Sequence, residues 1–303
     1  MVEIKSVKLA PFTLMSSTVQ AILALIAAII MLIFFGIAGA LFPNIGAAIA
    51  LIGVAMIIIY PIAVFFIGLS THFFSAFLYN TLVPRLGGVK LELEDNDVTA
   101  IPVVPFALIL AAIETIWAFI FGLFLAAALA PITALLSGSI PVVSQAIANA
   151  TNTTGAALPT GAAAGAFGVI SVLFLIIALP IAVFVIGFIA NALAAIFYNN
   201  IATKVSMIKL EFAAISETLH ELKTIPPIPT ALAVAVVFTI FGLIRGILSL
   251  ITSSAQGNSG EGVLLLVMNI VGYFVLYFIL VALGAFIYNF LVPRIGGIKL
   301  NLE

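Results

Sequence analysis

The chain has 303 residues, 65% of them hydrophobic and only 7% charged, with a formal net charge of −1 and no cysteine. A soluble domain carries about 25% charged residues, so this composition excludes a chain that covers itself with a water-facing surface. The near-neutral charge offers no field for nucleic acid, and the lack of Cys removes disulfides and thiol catalysis.

Taken from the start, Val2-Glu3-Ile4-Lys5 alternates with the period of a strand. Pro11 then opens an apolar run near 12–38. Pro suits the first turn of a helix, and the run exceeds the ~20 residues that cross a bilayer. It is too long for a cleaved signal peptide, so it reads as a retained membrane helix. A second run near 47–79 ends at Tyr79-Asn80, Gly87-Gly88 breaks it, and residues 89–94 (VKLELE) alternate again. Glu94-Asp95-Asn96-Asp97 predicts a tight turn into the next strand. Further runs follow near 105–130 and 164–198, separated by an Ala/Thr/Gly/Ser-rich turn over 131–163. That turn carries the sequons Asn149 and Asn152. Residues 213–222 read as a short surface helix, and the last two runs lie near 229–252 and 262–289. Pro61 and Pro180 predict kinks in the second and fourth helices.

The chain repeats itself. YNTLVPRLGGVKLELE (79–94) and YNFLVPRIGGIKLNLE (288–303) match at twelve of sixteen positions. A weaker copy, YNNIATKVSMIKLEF (198–212), has Ser206-Met207 in place of Gly-Gly. The entries repeat too, aligning Pro11, Pro105 and Pro229. PIAVFFIG (61–68) and PIAVFVIG (180–187) each begin 18 residues before their Tyr. Such self-similarity marks duplication of one structural unit. The unit is strand, helix, helix, strand, and three copies span 1–95, 96–212 and 213–303. The expected fold is therefore a membrane all-α bundle with a small β cap. Six transmembrane helices form three parallel two-helix repeats about a pseudo-threefold axis, and short cytoplasmic strands build a cap of up to six.

Nine of the ten Lys and Arg lie at the strand ends of the units. Positive residues mark the cytoplasmic side, so both termini and all strands are expected there, in a multi-pass protein of the cell membrane. Tyr79, Tyr198 and Tyr288 are then expected as interface anchors, with Arg85, Lys204 and Arg294 reaching lipid phosphates. Phe-Ile-Tyr-Asn (286–289) followed by Arg-Ile-Gly-Gly-Ile-Lys-Leu-Asn-Leu-Glu (294–303) resembles the ending of a family of small two-pass prokaryotic membrane proteins of unknown function. The resemblance implies membrane location and three tandem copies. It brings no catalytic residues, and the middle copy departs from it by lacking Gly-Gly.

Ionisable groups inside a bilayer are rare and costly. Glu114 lies about 14 Å into the third helix, beside Ala107, Ala111 and Ala118 on a face small enough for close packing. Its register counterparts are Gln20 and Phe238. In the second helices His72 and Asn191 share a register with Val281. Gln20, Glu114, His72 and Asn191 thus predict one polar layer, absent from the third unit. Two readings follow: a proton or cation site, or a hydrogen-bonded structural network. Arg245 is expected to snorkel outward, framed by Gly242 and Gly246 at helix-contact spacing. His220 has no second ligand at metal spacing, and no nucleophile, phosphate-loop or dinucleotide motif is present. The sequence thus points to no enzyme, cofactor or metal. It predicts a non-enzymatic membrane scaffold or accessory protein, in contact with lipid, whose cap meets a membrane or cytoplasmic protein partner. The alternative is a transporter or channel built around Glu114.

Overall fold

The computed structural model describes residues 1–42, 46–151 and 169–303. Six helices run through it, all long and apolar enough to cross a membrane. They are α1 (Leu9–Leu41), α2 (Gly46–Leu86), α3 (Val103–Thr151), α4 (Leu179–Asn200), α5 (Pro227–Ala255) and α6 (Ser259–Ile295). Six short strands accompany them: β1 (Val2–Val7), β2 (Lys90–Glu94), β3 (Asp97–Ala100), β4 (Glu211–Ala214), β5 (Leu219–Thr224) and β6 (Lys299–Leu302).

Two compact units are present. One comprises Met1–Ile109 with Ala192–Glu303, and the other Leu110–Asn191. The first holds every described strand. Their order is β3-β2-β1-β6-β5-β4, with every pairing antiparallel. The two outer members also meet. Val98 N–H donates to Ile208 O (2.8 Å), Leu210 N–H donates to Asn96 O (2.9 Å), and Asp97 bridges Lys209. The segment leading into β4 thus reaches β3, and the strands close into a ring. Closure removes the unpaired edges that a six-stranded sheet otherwise exposes. The β2–β3 turn is made by Asp95 and Asn96, both in the left-handed region that these residue types tolerate. In the same unit Gly242 and Gly246 of α5 lie against Asn269, Tyr273 and Leu266 of α6, so the pair does form a helix contact.

Three sequence expectations are corrected. Residues 213–222 are not a helix but most of the β4–β5 hairpin, with Phe212 opposite Leu222 and Ala213 opposite Glu221. The reason is tertiary: β5 pairs β6 and the segment before β4 pairs β3, so the ring requires strands here. His220 accordingly sits on β5. Residues 131–151, expected as part of a turn, belong instead to α3, which continues to Thr151. This stretch is rich in Ala, the strongest helix former. Asn152 lies outside the described residues, and of Asn149 only the backbone is described. Finally, α2 and α6 pass their Tyr and end at Leu86 and Ile295.

The two repeated prolines behave differently. Pro61 lies within α2. Pro180 is preceded by a π turn over Phe174–Ala178, a local adjustment that re-pairs carbonyls freed near a proline. In that second unit Gly122 sits directly against the Leu175 backbone, too close for any side chain.

Candidate functional site

The repeated Tyr-Asn pair builds the same clamp three times. Tyr79 Oη donates to Ile4 O (2.6 Å) and accepts from Val89 N–H (2.9 Å). Tyr198 Oη donates to Val98 O (2.5 Å) and accepts from Ile208 N–H (3.0 Å). Tyr288 Oη donates to Leu222 O (2.6 Å) and accepts from Ile298 N–H (3.0 Å). Each following Asn adds two bonds, all at 2.8 Å. Asn80 pairs with both backbone groups of Val7, Asn199 with those of Ile101, and Asn289 with those of Ile225. One helix turn therefore holds both the entering and the leaving strand of its unit. All three tyrosines are buried. Their hydroxyls are spent on backbone. Arg85, Lys204 and Arg294 are exposed. Arg85 donates to Thr81 O, and Arg294 bonds Phe290 O while covering the Phe290 ring.

An acid precedes each clamped strand residue. Glu3 Oε1 accepts from Gly88 N–H (2.8 Å), and Glu221 Oε1 from Gly297 N–H (2.6 Å). Lys5 lies 3.3 Å from Glu3, and Lys223 lies 2.7 Å from Glu221. Both carboxyls are held below the ordinary glutamate range, Glu3 first by the Gly88 bond and Glu221 first by the Lys223 bond. In the middle copy Asp97, one methylene shorter, pairs with Lys209 at 3.0 Å. These three acids were not singled out from the sequence, although the register that aligns Pro11, Pro105 and Pro229 also aligns them.

The exits show why the middle copy manages without Gly-Gly. Gly87 and Gly296 end their helices at φ +82° and +80°, a conformation nearly free only for glycine. Gly88 and Gly297 lie against the Ile4 and Leu222 carbonyls, leaving no room for a Cβ. In the middle copy α4 ends at Asn200, and a 3-10 turn over Ala202–Lys204 carries the chain down. Met207 stands at the place of Gly88 and Gly297.

The polar candidates form two bonds, one in each unit. In the unit that holds the strands, His72 Nε2 lies 3.1 Å from Gln20 Oε1. In the other, Asn191 Nδ2 donates to Glu114 Oε1 at 3.1 Å. Both depend on a glycine four residues before the second partner. Gly68 faces Ser17 and Gln20, and Gly187 faces Glu114 so closely that a Cβ would displace the carboxylate. These glycines end the repeated PIAV phrase, a signal that marked the position but not its purpose. The third copy solves the register differently. Phe238 stacks on Tyr277, at the glycine position, with centroids 3.7 Å apart and planes at 7°. Arg245 donates to Tyr273 Oη at 3.4 Å and is exposed.

Gln20 and His72 also line a cleft of about 390 Å³, with Met15, Thr230, Val281 and Gly284. A mostly apolar cleft of this size with a few convergent polar groups has the general form of a small-molecule site. Comparison with protein-family models, curated proteins and solved structures finds no match for this chain.

Proposed function

We propose that this is a multi-pass membrane protein made of three parallel two-helix repeats. They are arranged about a pseudo-threefold axis, with the strand ring and both termini in the cytoplasm. In this reading it is a non-enzymatic scaffold or accessory protein whose ring engages a membrane or cytoplasmic partner. The observation that carries the proposal is the clamp. Three helix exits grip three strand pairs through corresponding atoms, and the first and last strands join, with Glu3 N–H donating to Glu303 O at 2.6 Å. Residues repeated this faithfully serve architecture. Side chains that differ between copies lie in the helices and at the hairpin tips. The hairpin tips, Asp95-Asn96 and Ile215-Ser216-Glu217-Thr218, are exposed and carry the variable chemistry a partner would read. Kinship with the two-pass family belongs to the same proposal. The test is the intact-complex mass of the protein released gently from its own membranes. A stoichiometric second protein is the expected result, and a lone chain with lipid overturns the reading.

One observation favours transport as the second reading. Glu114 is an exposed carboxylate within an apolar helix, and its bond is to the neutral Asn191. Lone ionisable groups at such positions mark ion and proton paths. Reconstituted wild-type protein would then carry a proton or cation flux that Glu114→Gln abolishes; equal flux in both would remove this alternative.

A further inference from the structure

The unit that holds the strands contains a second, smaller cleft of about 140 Å³. Every one of its nine lining residues has its register counterpart lining the 390 Å³ cleft. Ile101, Ala195, Tyr198 and Ile208 correspond to Ile225, Ala285, Tyr288 and Ile298, with residue type unchanged. The two clefts are therefore the same architectural gap, filled differently. Where the small one has Phe106, Phe238, Ala194 and Val234, the large one has Thr230, Gln20, Gly284 and Ser16. Two aromatic rings close one gap. Small and polar residues hold the other open.

The polar groups have a pattern. Ser16 and Gln20 stand one turn apart on α1, about 6 Å between their Cβ atoms. One end of the Gln20 amide is held by His72. The other makes no bond among the described residues, and the residue is exposed on the cleft wall. Whichever way the amide is turned, one hydrogen-bonding end faces the opening. Around it the wall is Met15, Val19, Leu23, Val281 and Ala285. All of these side chains stand on helices apolar enough to cross a membrane.

We propose that the large cleft binds a long-chain acyl group from the bilayer, its carbonyl oxygen on the Gln20 amide and its chain along Leu23 and Val281. An acyl group fits a mostly apolar wall with a few polar groups, among them the Gln20 amide. The source is either a free fatty acid or an esterified lipid, which share this chemistry. The inference rests on the bilayer location of α1 and α6 and not on the scaffold reading.

The test uses the full chain in native membranes with two photoreactive probes, a diazirine palmitate and a phosphatidylcholine with a diazirine acyl chain. Mapped crosslinks are expected at α1 around Leu23 and at α6 around Val281. Gly284→Leu supplies the blocking variant, because a Cβ at Gly284 meets open space and the side chain grows into the cleft. It should reduce that labelling about tenfold, the loss expected when roughly two methylenes are denied burial. Gln20→Leu serves as a second variant, expected to weaken labelling while leaving the cleft open. Labelling by one probe alone identifies the source, and either source supports the proposal. Labelling that both variants leave unchanged, or that spreads evenly to outward residues such as Phe66 and Ile67, overturns it. Retained labelling would also leave the complex-mass result untouched, so the two proposals fail separately.

Discussion

The strand end of each unit and the middle of its helices follow opposite rules. At the strand end, four clamp bonds recur in all three copies with lengths within a few tenths of an ångström of one another. In the helix middle, one register position carries Gln20, Glu114 and Phe238, and its neighbours change from Gly68 and Gly187 to Tyr277. Each of the three segments must leave its helices and join the ring, and the residues that do this recur. What differs is what only one copy needs to do. Site hypotheses therefore belong to the helix middle, and the clamps report stability.

The contrast is most easily broken at the exit glycines. Gly297→Ala and Gly88→Ala place a Cβ against a strand carbonyl that cannot yield without distorting the ring. Each should cost about 3 kcal/mol, at the upper end for overpacking. Met207→Ala, at the corresponding place, should cost under about 1 kcal/mol, because that copy exits through its 3-10 turn. Thermal unfolding in one detergent ranks the three. Equal losses would mean that the middle copy relies on the same approach after all.

Next come the tyrosines. Tyr79→Phe, Tyr198→Phe and Tyr288→Phe each remove a buried hydroxyl that serves one carbonyl and one N–H. Stranding two backbone groups should cost about 2 kcal/mol in each case. Near-equality across the three is the sharper part of the prediction. A silent Tyr198→Phe would show that the middle clamp is idle.

The strand end also sets an acid response. Glu3 and Glu221 have lowered pKa values in the folded chain, so the unfolded chain binds their protons more readily. Their contribution is complete above the ordinary glutamate value of 4.5 and is lost as pH falls through the lowered folded values. Thermal stability should thus drop on acidification below that point. In Glu221→Gln the drop should be shallower, whereas an unchanged pH profile would take Glu221 out of the response.

Much of this was legible in the sequence, for identifiable reasons. Six apolar runs report six helices because length and hydropathy are local properties. The repeat register located every clamp, and polar side chains within long apolar runs are rare enough that Gln20, His72, Glu114 and Asn191 stood out. What escaped depends on distant partners. Tyr288 reads as an interface residue until its hydroxyl is seen 66 positions away on Leu222. Residues 213–222 have helical spacing, and ring closure overrides it. The role of Gly187 appears only when α3 lies across it. The clefts required both the register and the packing, because Gln20 and Gly284 matter only beside Phe238 and Ala194.

The smallest expected effects test the helix middle most directly. Double-mutant cycles isolate a pair's coupling from the separate cost of each truncation. Glu114→Ala with Asn191→Ala should give about 1 kcal/mol, the usual net worth of a side-chain hydrogen bond. Phe238→Ala with Tyr277→Ala should give about 1 kcal/mol, typical of a stacked pair. Gln20→Ala with His72→Ala should give the least, about 0.5 kcal/mol, because the bond lies open on a cleft. A small Gln20–His72 coupling would fit a pair that holds open a cleft which Phe238 closes at the corresponding place. If the Gln20–His72 coupling instead proved the largest of the three, the pair would be a structural staple. The opening beside it would then be a by-product of making that bond.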